Sequence, residues 1–407
     1  MRPLILLSLF AASLLNVGAA ERVTVLQLEQ AISAYKAKLP PAHQTPKNSD
    51  DDVLQQLGED DDFVPKLDAM ELSERLTPAA RARLVDLYKP GPHVEQALER
   101  LADRSALLDP PPSEIPNLPP PDGAAQRRMM VLANGYVFSI LAHLPDFFAT
   151  RSTSRFDDSP HTIAFKDAQP NKELHLVGSS TREITFQDGK EVMNSTQPRR
   201  TSTLQESGLV SQGEFGPETA IVLFDLGKST PAFHHWEHTS GGLAAVYRYA
   251  VPRSGSHYEL NYGCLQTSSF HDTPGYHGEL GISPATGAIL RITVVVDGKK
   301  SDPISHVASI IEYGPVVLGQ RRYVCPQLSL AFTVEEMNVC ARSARDRKLT
   351  QPVTMLNRTT FTDYHRLGSS SRFILDKNQD AASPAPVKPD AAKNSSGSTV
   401  PIPKDPD

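Results

Sequence analysis

Between Gly275 and Asp297 apolar and polar positions alternate with a period of two, interrupted once at Ser283-Pro284-Ala285-Thr286-Gly287. This pattern predicts a β-hairpin, with a strand through Leu280 and Ile282, a turn, and a long β-branched strand. Proline presets φ early in such a turn and glycine accepts a positive φ at its end. In the outgoing strand Ala288, Leu290, Ile292, Val294 and Val296 share one face, and Ile289, Arg291, Thr293 and Val295 share the other. A sheet buried on one side and mixed on the other is implied.

The same alternation recurs through the second half of the chain. It predicts strands at 147–156, 174–177, 184–186, 233–239, 243–251, 258–262, 306–313, 322–334, 359–364 and 372–375. Asp188-Gly189 and Gly319-Gln320 are turn signals between them. In 322–334, Val324, Leu328, Leu330, Phe332 and Val334 are expected on one face. A meander of this size must curl around something to hide its apolar side.

Upstream the period changes to that of a helix. Val25, Leu26, Leu28, Ile32 and Tyr35 recur at helical spacing, and Asp50 to Asp52 precede a second helix. Residues 70–87 read as helix–turn–helix, with Thr77 as N-cap and Pro78 at the first helical position. Residues 94–108 carry Leu98, Leu101 and Leu107 on one stripe. Prolines dominate 109–122, favouring an extended polyproline II spacer. A helix over 126–144 then leads into the first strand and is the element expected to fill the curved sheet. A further helix is expected over 215–226.

The fold class is therefore α+β: a small helical region, then a curved, half-barrel-like antiparallel β-meander packed on a helix. The expected division is a signal peptide at 1–20, a helical region at 21–108, a proline-rich linker at 109–122, the helix-plus-meander domain at 123–376, and a tail at 377–407. The tail is rich in Pro, Ala, Ser, Lys and Asp, and is expected to be disordered.

The first twenty residues decide compartment. Arg2, the apolar run from Pro3 to Leu15, and Gly18-Ala19-Ala20 have the order of a secretory signal, with cleavage expected after Ala20. The run falls short of the ~20 residues a membrane span needs, and no second stretch approaches that length. A periplasmic or extracellular protein with no transmembrane segment in the mature chain is implied. Of the three cysteines, Cys325 and Cys340 could close a short disulfide loop worth roughly 3 kcal/mol. Cys264 would then be unpaired; three buried thiols are the alternative. A net charge of −6 over 407 residues argues against a nucleic-acid partner.

Several segments carry a family likeness: LAHLPDFFATRSTSRFDD (141–158), SQGEFG (211–216), HHWEHT (234–239), VYRYAVP (246–252), the hairpin 275–297, and YGPVVLGQRRYVCPQLS (313–329). In this order, with VTVLQLEQAI, DDDVLQQL, LDAMELSERLT and ALLDPPPSEIP upstream, the chain resembles a family of secreted bacterial proteins of uncharacterised function, over most of 22–376. The order of elements in the β region is also similar to the half-barrel of bacterial lipoprotein-localisation factors. That likeness implies a concave sheet able to hold acyl chains beneath helices, and it assigns no binding residue.

Catalytic signatures are weak. His234, His235 and His238 form the densest histidine cluster, but HHWEH is not HExxH. On a regular strand His234 and His238 would share a face about 13 Å apart at ~3.3 Å per residue, too far to share one ion. His271 and His277 could join them from nearby, with Glu237 or Asp272 as carboxylate partner. Gly227-Lys228-Ser229 resembles the end of a P-loop, but Val222 stands where the glycine is required. No G-x-S-x-G elbow occurs, and the serines near His257 have no evident acid partner. The single tryptophan, Trp236, reads as a core anchor. The acidic groups at 50–52 and 59–62 lack EF-hand spacing.

The expectation is a non-catalytic envelope protein that binds an apolar or amphipathic ligand, such as a lipid, or a protein partner, on its curved sheet. No catalytic, cofactor-binding or metal-binding residue is assigned. A metal-dependent hydrolase using the histidine cluster, and an envelope scaffold acting through the helical front, are the alternatives. Oligomeric state has no signal in the sequence.

Overall fold

A run of short helices comes first and long antiparallel strands follow, with a further helix inserted among them, and the long strands lie side by side. The structure, a computed structural model, describes residues 22–38, 62–140, 144–159, 173–192, 213–227, 231–262, 270–299, 302–337 and 348–367. The signal peptide, Asp50 to Asp52, Cys264, Cys340, the expected strand at 372–375 and the tail at 377–407 lie outside the described residues.

Helix α1 (Val25–Lys36) begins with a reciprocal cap. Thr24 Oγ1 accepts from Gln27 N and the Gln27 side chain accepts from Thr24 N. Helix α2 spans 62–68, α3 is Pro78–Tyr88 and α4 is Pro92–Arg104. The expected cap holds at α3, where Thr77 Oγ1 accepts from Ala80 N at 3.0 Å with Pro78 behind it. The helix–turn–helix expected over 70–87 does not form in its first half. Residues around Leu72 are extended and make a parallel bridge with Val23. Leu28, Leu67, Leu84 and Leu98 are fully buried together and give these helices a core of their own.

After a 3₁₀ turn at Pro112–Glu114 comes α5 (Gly123–Gly135), capped by Asp122 and continued by one π-helical turn, Tyr136–Ile140. Strands β1 (Phe147–Asp157), β2 (His175–Gln187) and β3 (Lys190–Val192) follow. The expected strands at 174–177 and 184–186 are the two ends of β2. Helix α6 (Pro217–Leu226) precedes β4 (Ala232–Thr239), β5 (Gly242–Val251), β6 (Leu260–Tyr262), β7 (Phe270–Asp272), β8 (Tyr276–Ile282), β9 (Ile289–Asp297), β10 (Ile304–Leu318), β11 (Arg321–Met337) and β12 (Lys348–Arg366).

Among the described residues ten strands form one open, curved antiparallel sheet in the order β3-β2-β1-β12-β11-β10-β9-β8-β5-β4, and β6 and β7 pair separately. This is the half-barrel-like arrangement expected, with one departure from a simple meander. The last strand returns to pair with the first, Phe147 opposite Arg366 through Asp157 opposite Met355. The three-strand meander β1–β3 is thereby joined onto the β4–β12 meander.

One face of the sheet packs on α5, the π-turn and α6. Met129, Ala133, Val137, Val222 and Leu223 join Leu280, Ile292, Val294 and Tyr313 in a single core. Gly287, at φ +75°, ends the β8–β9 turn directly against α5; a Cβ there would lie 2.3 Å from the Leu132 carbonyl carbon. The opposite face, expected to be mixed, is also covered. Ala106, just after α4, packs with Val295, Ala308, Ile310, Leu330 and Leu356, so eight of the nine residues of β9 are buried. The one-face reading of 322–334 fails at its start. A register shift between Glu312 and Tyr313, opposite Leu328 and Pro326, leaves Val324 against the α5–α6 core while Leu328, Leu330 and Phe332 face Ala106.

Candidate functional site

The densest polar chemistry lies where the segment between α4 and α5 meets β4, β5, β8 and β9. It begins with a bulge. In the β4–β5 ladder Phe233 pairs with Tyr247 and His235 with Val246, so His234 is the extra residue. A bulge re-aims side chains, and here it sends His234 and His235 together, with their Nδ1 atoms 2.6 Å apart. The alternation that would have paired His234 with His238 on one face is broken at this point; His238 is exposed and outside the cluster.

From His235 the contacts run inward. His235 Nε2 meets Glu237 Oε2 at 3.2 Å, and Arg75 Nη2 meets the same oxygen at 2.6 Å. Arg75 and Glu237 are only 3% and 8% exposed. Burial alone would raise the Glu237 carboxyl, but His235 and Arg75 outweigh it and hold the group down at about 2. Arg291, also buried, donates from Nη1 to Glu279 at 3.1 Å and from Nη2 to the Ala106 carbonyl at 2.5 Å. Arg248 forks between Asp109 at 2.5 Å and Glu279 at 3.1 Å. Burial, Arg248 and His235 lower the pKa of His234. Asp109, His234 and Glu279 each bring one ligand-type atom within 4.8 Å of the others.

The proline-rich stretch is fastened along this junction. Trp236 Nε1 donates to the Pro119 carbonyl at 2.9 Å, and Glu114 accepts from Thr77 Oγ1 at 2.5 Å. The Trp236 ring meets Phe233 edge-on at 5.4 Å, which suits the core-anchor expectation. Farther along the sheet Arg358 on β12 bridges to Glu99 at 2.7 Å and Asp103 at 3.0 Å on α4.

A second polar group is built on the buried side of α6. Asp225, fully buried, accepts from His257 N at 2.9 Å, His257 Nδ1 at 2.5 Å and Tyr276 OH at 2.8 Å. The His257 ring is 55% exposed and meets Phe224 edge-on. The acid partner missing from the sequence around His257 thus comes from 32 residues upstream. Glu218, on the first turn of α6, is pushed up to about 8 by burial and by Glu214 nearby. Tyr313 OH, against Thr219 Oγ1, donates to the Glu214 carbonyl at 3.0 Å.

The histidines expected to join the cluster do not converge on it. Asp272 pairs with Arg253 at 2.7 and 2.8 Å, while His277 and His306 face Asp297 at 3.8 and 3.1 Å. His271 is exposed on β7. Of the five histidines considered, His234 and His235 come together, and His235 also meets Glu237. Cys325 is buried on β11. A cleft of ≈ 140 Å³ opens between Arg253, Asp272, Asp297 and His306. Pockets for drug-sized ligands hold about 300–1,000 Å³; this cleft is smaller, and Leu260, Val296, Ile304 and Val307 line it beside the charged groups. No described helix is long and apolar enough to cross a membrane.

The site thus combines an ion-paired junction between helices and sheet with a buried carboxylate that holds an exposed imidazole. No family model, curated protein or solved structure matches the chain.

Proposed function

We propose that this is an exported, non-catalytic envelope protein that takes an apolar or amphipathic partner on the outside of its helical layer. The observation behind this reading is the exposure of Val131 at 72%, Phe138 at 53% and Phe224 at 57% on the helices that cover one face of the sheet. Val131 stands on α5 and Phe138 on the π-turn that continues it. The middle of the sheet is occupied on both faces, which supports this outer surface over the sheet, where the resemblance to lipoprotein-localisation factors would put binding. Native mass spectrometry of mature chain from a periplasmic extract tests the idea. A lipid-like mass or a stoichiometric protein that co-purifies with wild type and is lost from a Val131→Asp, Phe138→Asp double variant supports it. Retention of that mass by the double variant sinks it.

A second reading, a hydrolase, is favoured by one arrangement. A buried carboxylate that fixes Nδ1 of a solvent-facing histidine is how general bases are oriented. Asp225 and His257 have that relation. A panel of ester and phosphoester substrates would separate the readings, because turnover abolished by His257→Ala favours hydrolysis and no turnover by wild type removes it.

A further inference from the structure

We propose that Asp109, His234 and Glu279 form a binding site for one divalent transition-metal ion, with Zn²⁺ as the best-fitting ion, and that the ion ties the segment after α4 to the sheet. The three residues come from separate parts of the chain: Asp109 from the connection after α4, His234 from the bulge in β4, and Glu279 from β8. Nothing in their spacing along the sequence requires them to meet, yet one oxygen or nitrogen of each lies within 4.8 Å of the other two. Bound at the usual Zn–O and Zn–N lengths, three ligand atoms of a tetrahedral ion stand about 3.4 Å apart. The exposed Asp109 side chain would have to draw closer on binding.

The surroundings are built to hold the ligands. The Asp109 carbonyl accepts from Arg75 N at 2.8 Å, fixing the backbone at that residue. Arg291 Nη1 holds Glu279 Oε2 at 3.1 Å, and His235 holds the His234 ring through Nδ1 at 2.6 Å. Hydrogen bonds of this kind orient the ligands of known metal sites. A cation already bridges the two carboxylates, because Arg248 reaches Asp109 and Glu279 at once. Its side chain is 48% exposed, so it can swing into solvent and yield its place to a dication. Imidazole with two carboxylates suits zinc or a neighbouring transition metal; magnesium prefers oxygen ligands alone and retains its waters.

Isothermal titration of the full mature chain with ZnCl₂, and separately with MgCl₂, is the test. One Zn²⁺ per chain and no saturable Mg²⁺ uptake are expected. His234→Ala and Asp109→Asn should each weaken Zn²⁺ binding about tenfold or more, while His238→Ala, on the same strand but outside the cluster, leaves it unchanged. Arg248→Gln removes the competing cation and should tighten binding. Co²⁺ in place of Zn²⁺ should give the visible absorption of a tetrahedral site. Asp109 is 54% exposed, so its variant keeps the fold and decides the matter even where a His234 variant misfolds. The proposal is overturned by absence of saturable Zn²⁺ uptake, by equal uptake in the Asp109 and His238 variants, or by loss of binding in Arg248→Gln.

Discussion

Strands β9 and β2 belong to the same sheet, and each has hydrogen-bonded neighbours on both sides, yet they live in different surroundings. Eight of nine residues of β9 are buried, whereas in β2 only Ile184 and Phe186 are. β9 is the more apolar strand, yet its second face still carries Arg291 and Thr293, and these are buried too. The difference is the covering layer. Over β9 lies the segment around Ala106, and the polar residues beneath it have partners: Glu279 and the Ala106 carbonyl for Arg291, Glu279 N and Tyr249 OH for Thr293. On β2, Leu176 is 57% exposed and Thr181 shares a hydrogen bond with Ser152 at the surface. A mixed strand face is a solvent face or an ion-paired interface according to what the rest of the chain lays across it.

The sharpest way to break the contrast is to strip one partner from the covered face. Arg75→Ala leaves Glu237 buried with its main countercharge gone, and such a loss costs about 3–5 kcal/mol. Ser152→Ala, at the open end, should stay within about 0.5 kcal/mol. Urea denaturation of both variants measures the two costs. A loss below about 1 kcal/mol for Arg75→Ala would mean that the segment after α4 does not seal Glu237 from water.

Next in size is apolar truncation. Leu280 on β8 is fully buried in the core shared with α5 and α6, and Leu280→Ala should cost about 2–5 kcal/mol. Leu176→Ala removes the same atoms from a site already in water and should change stability by less than about 0.5 kcal/mol. Equal losses in thermal melts would show that Leu176 on β2 is shielded from water as Leu280 is.

Much of the fold was legible because it rests on local periodicity. The 275–297 hairpin, the Thr77-Pro78 helix start, and the turns at Asp188-Gly189 and Gly319-Gln320 each follow from the chemistry of adjacent residues, and the fold class followed from adding such elements. What could not be read were features set by distant pairings. The return of β12 to β1 joins residues some two hundred positions apart, and the shift opposite Leu328 and Pro326 reverses the faces of β11 through Gln327, which Gly314 on the neighbouring strand makes room for. The candidate site was less legible for the same reason. The histidine run was visible, but a strict alternation put His234 beside His238, whereas the bulge puts it beside His235, Asp109 and Glu279. Asp225 carried no signal toward His257, because an acid partner supplied by another element leaves no spacing to recognise.

A pH series, in which one proton gives a slope of about 1.4 kcal/mol per pH unit, sharpens the comparison between the sheet's two coverings. Glu218 on the buried side of α6 and Glu237 under the segment after α4 both start from an ordinary value of 4.5 and move in opposite directions, to about 8 and about 2. For Glu218 the folded form holds a proton that the unfolded chain gives up. Its contribution is therefore complete below pH 4.5 and declines as pH rises toward 8. For Glu237 the folded form resists protonation, so its contribution is complete above pH 4.5 and declines as pH falls toward 2. Glu218→Gln should thus raise stability at pH 7 and flatten the decline between pH 5 and 8, while leaving the acid limb unchanged. Denaturation midpoints across that range decide it: a Gln variant whose profile parallels wild type would show that Glu218 is ionised in the folded protein, and that the layer of α6 over the sheet admits water where the segment after α4 does not.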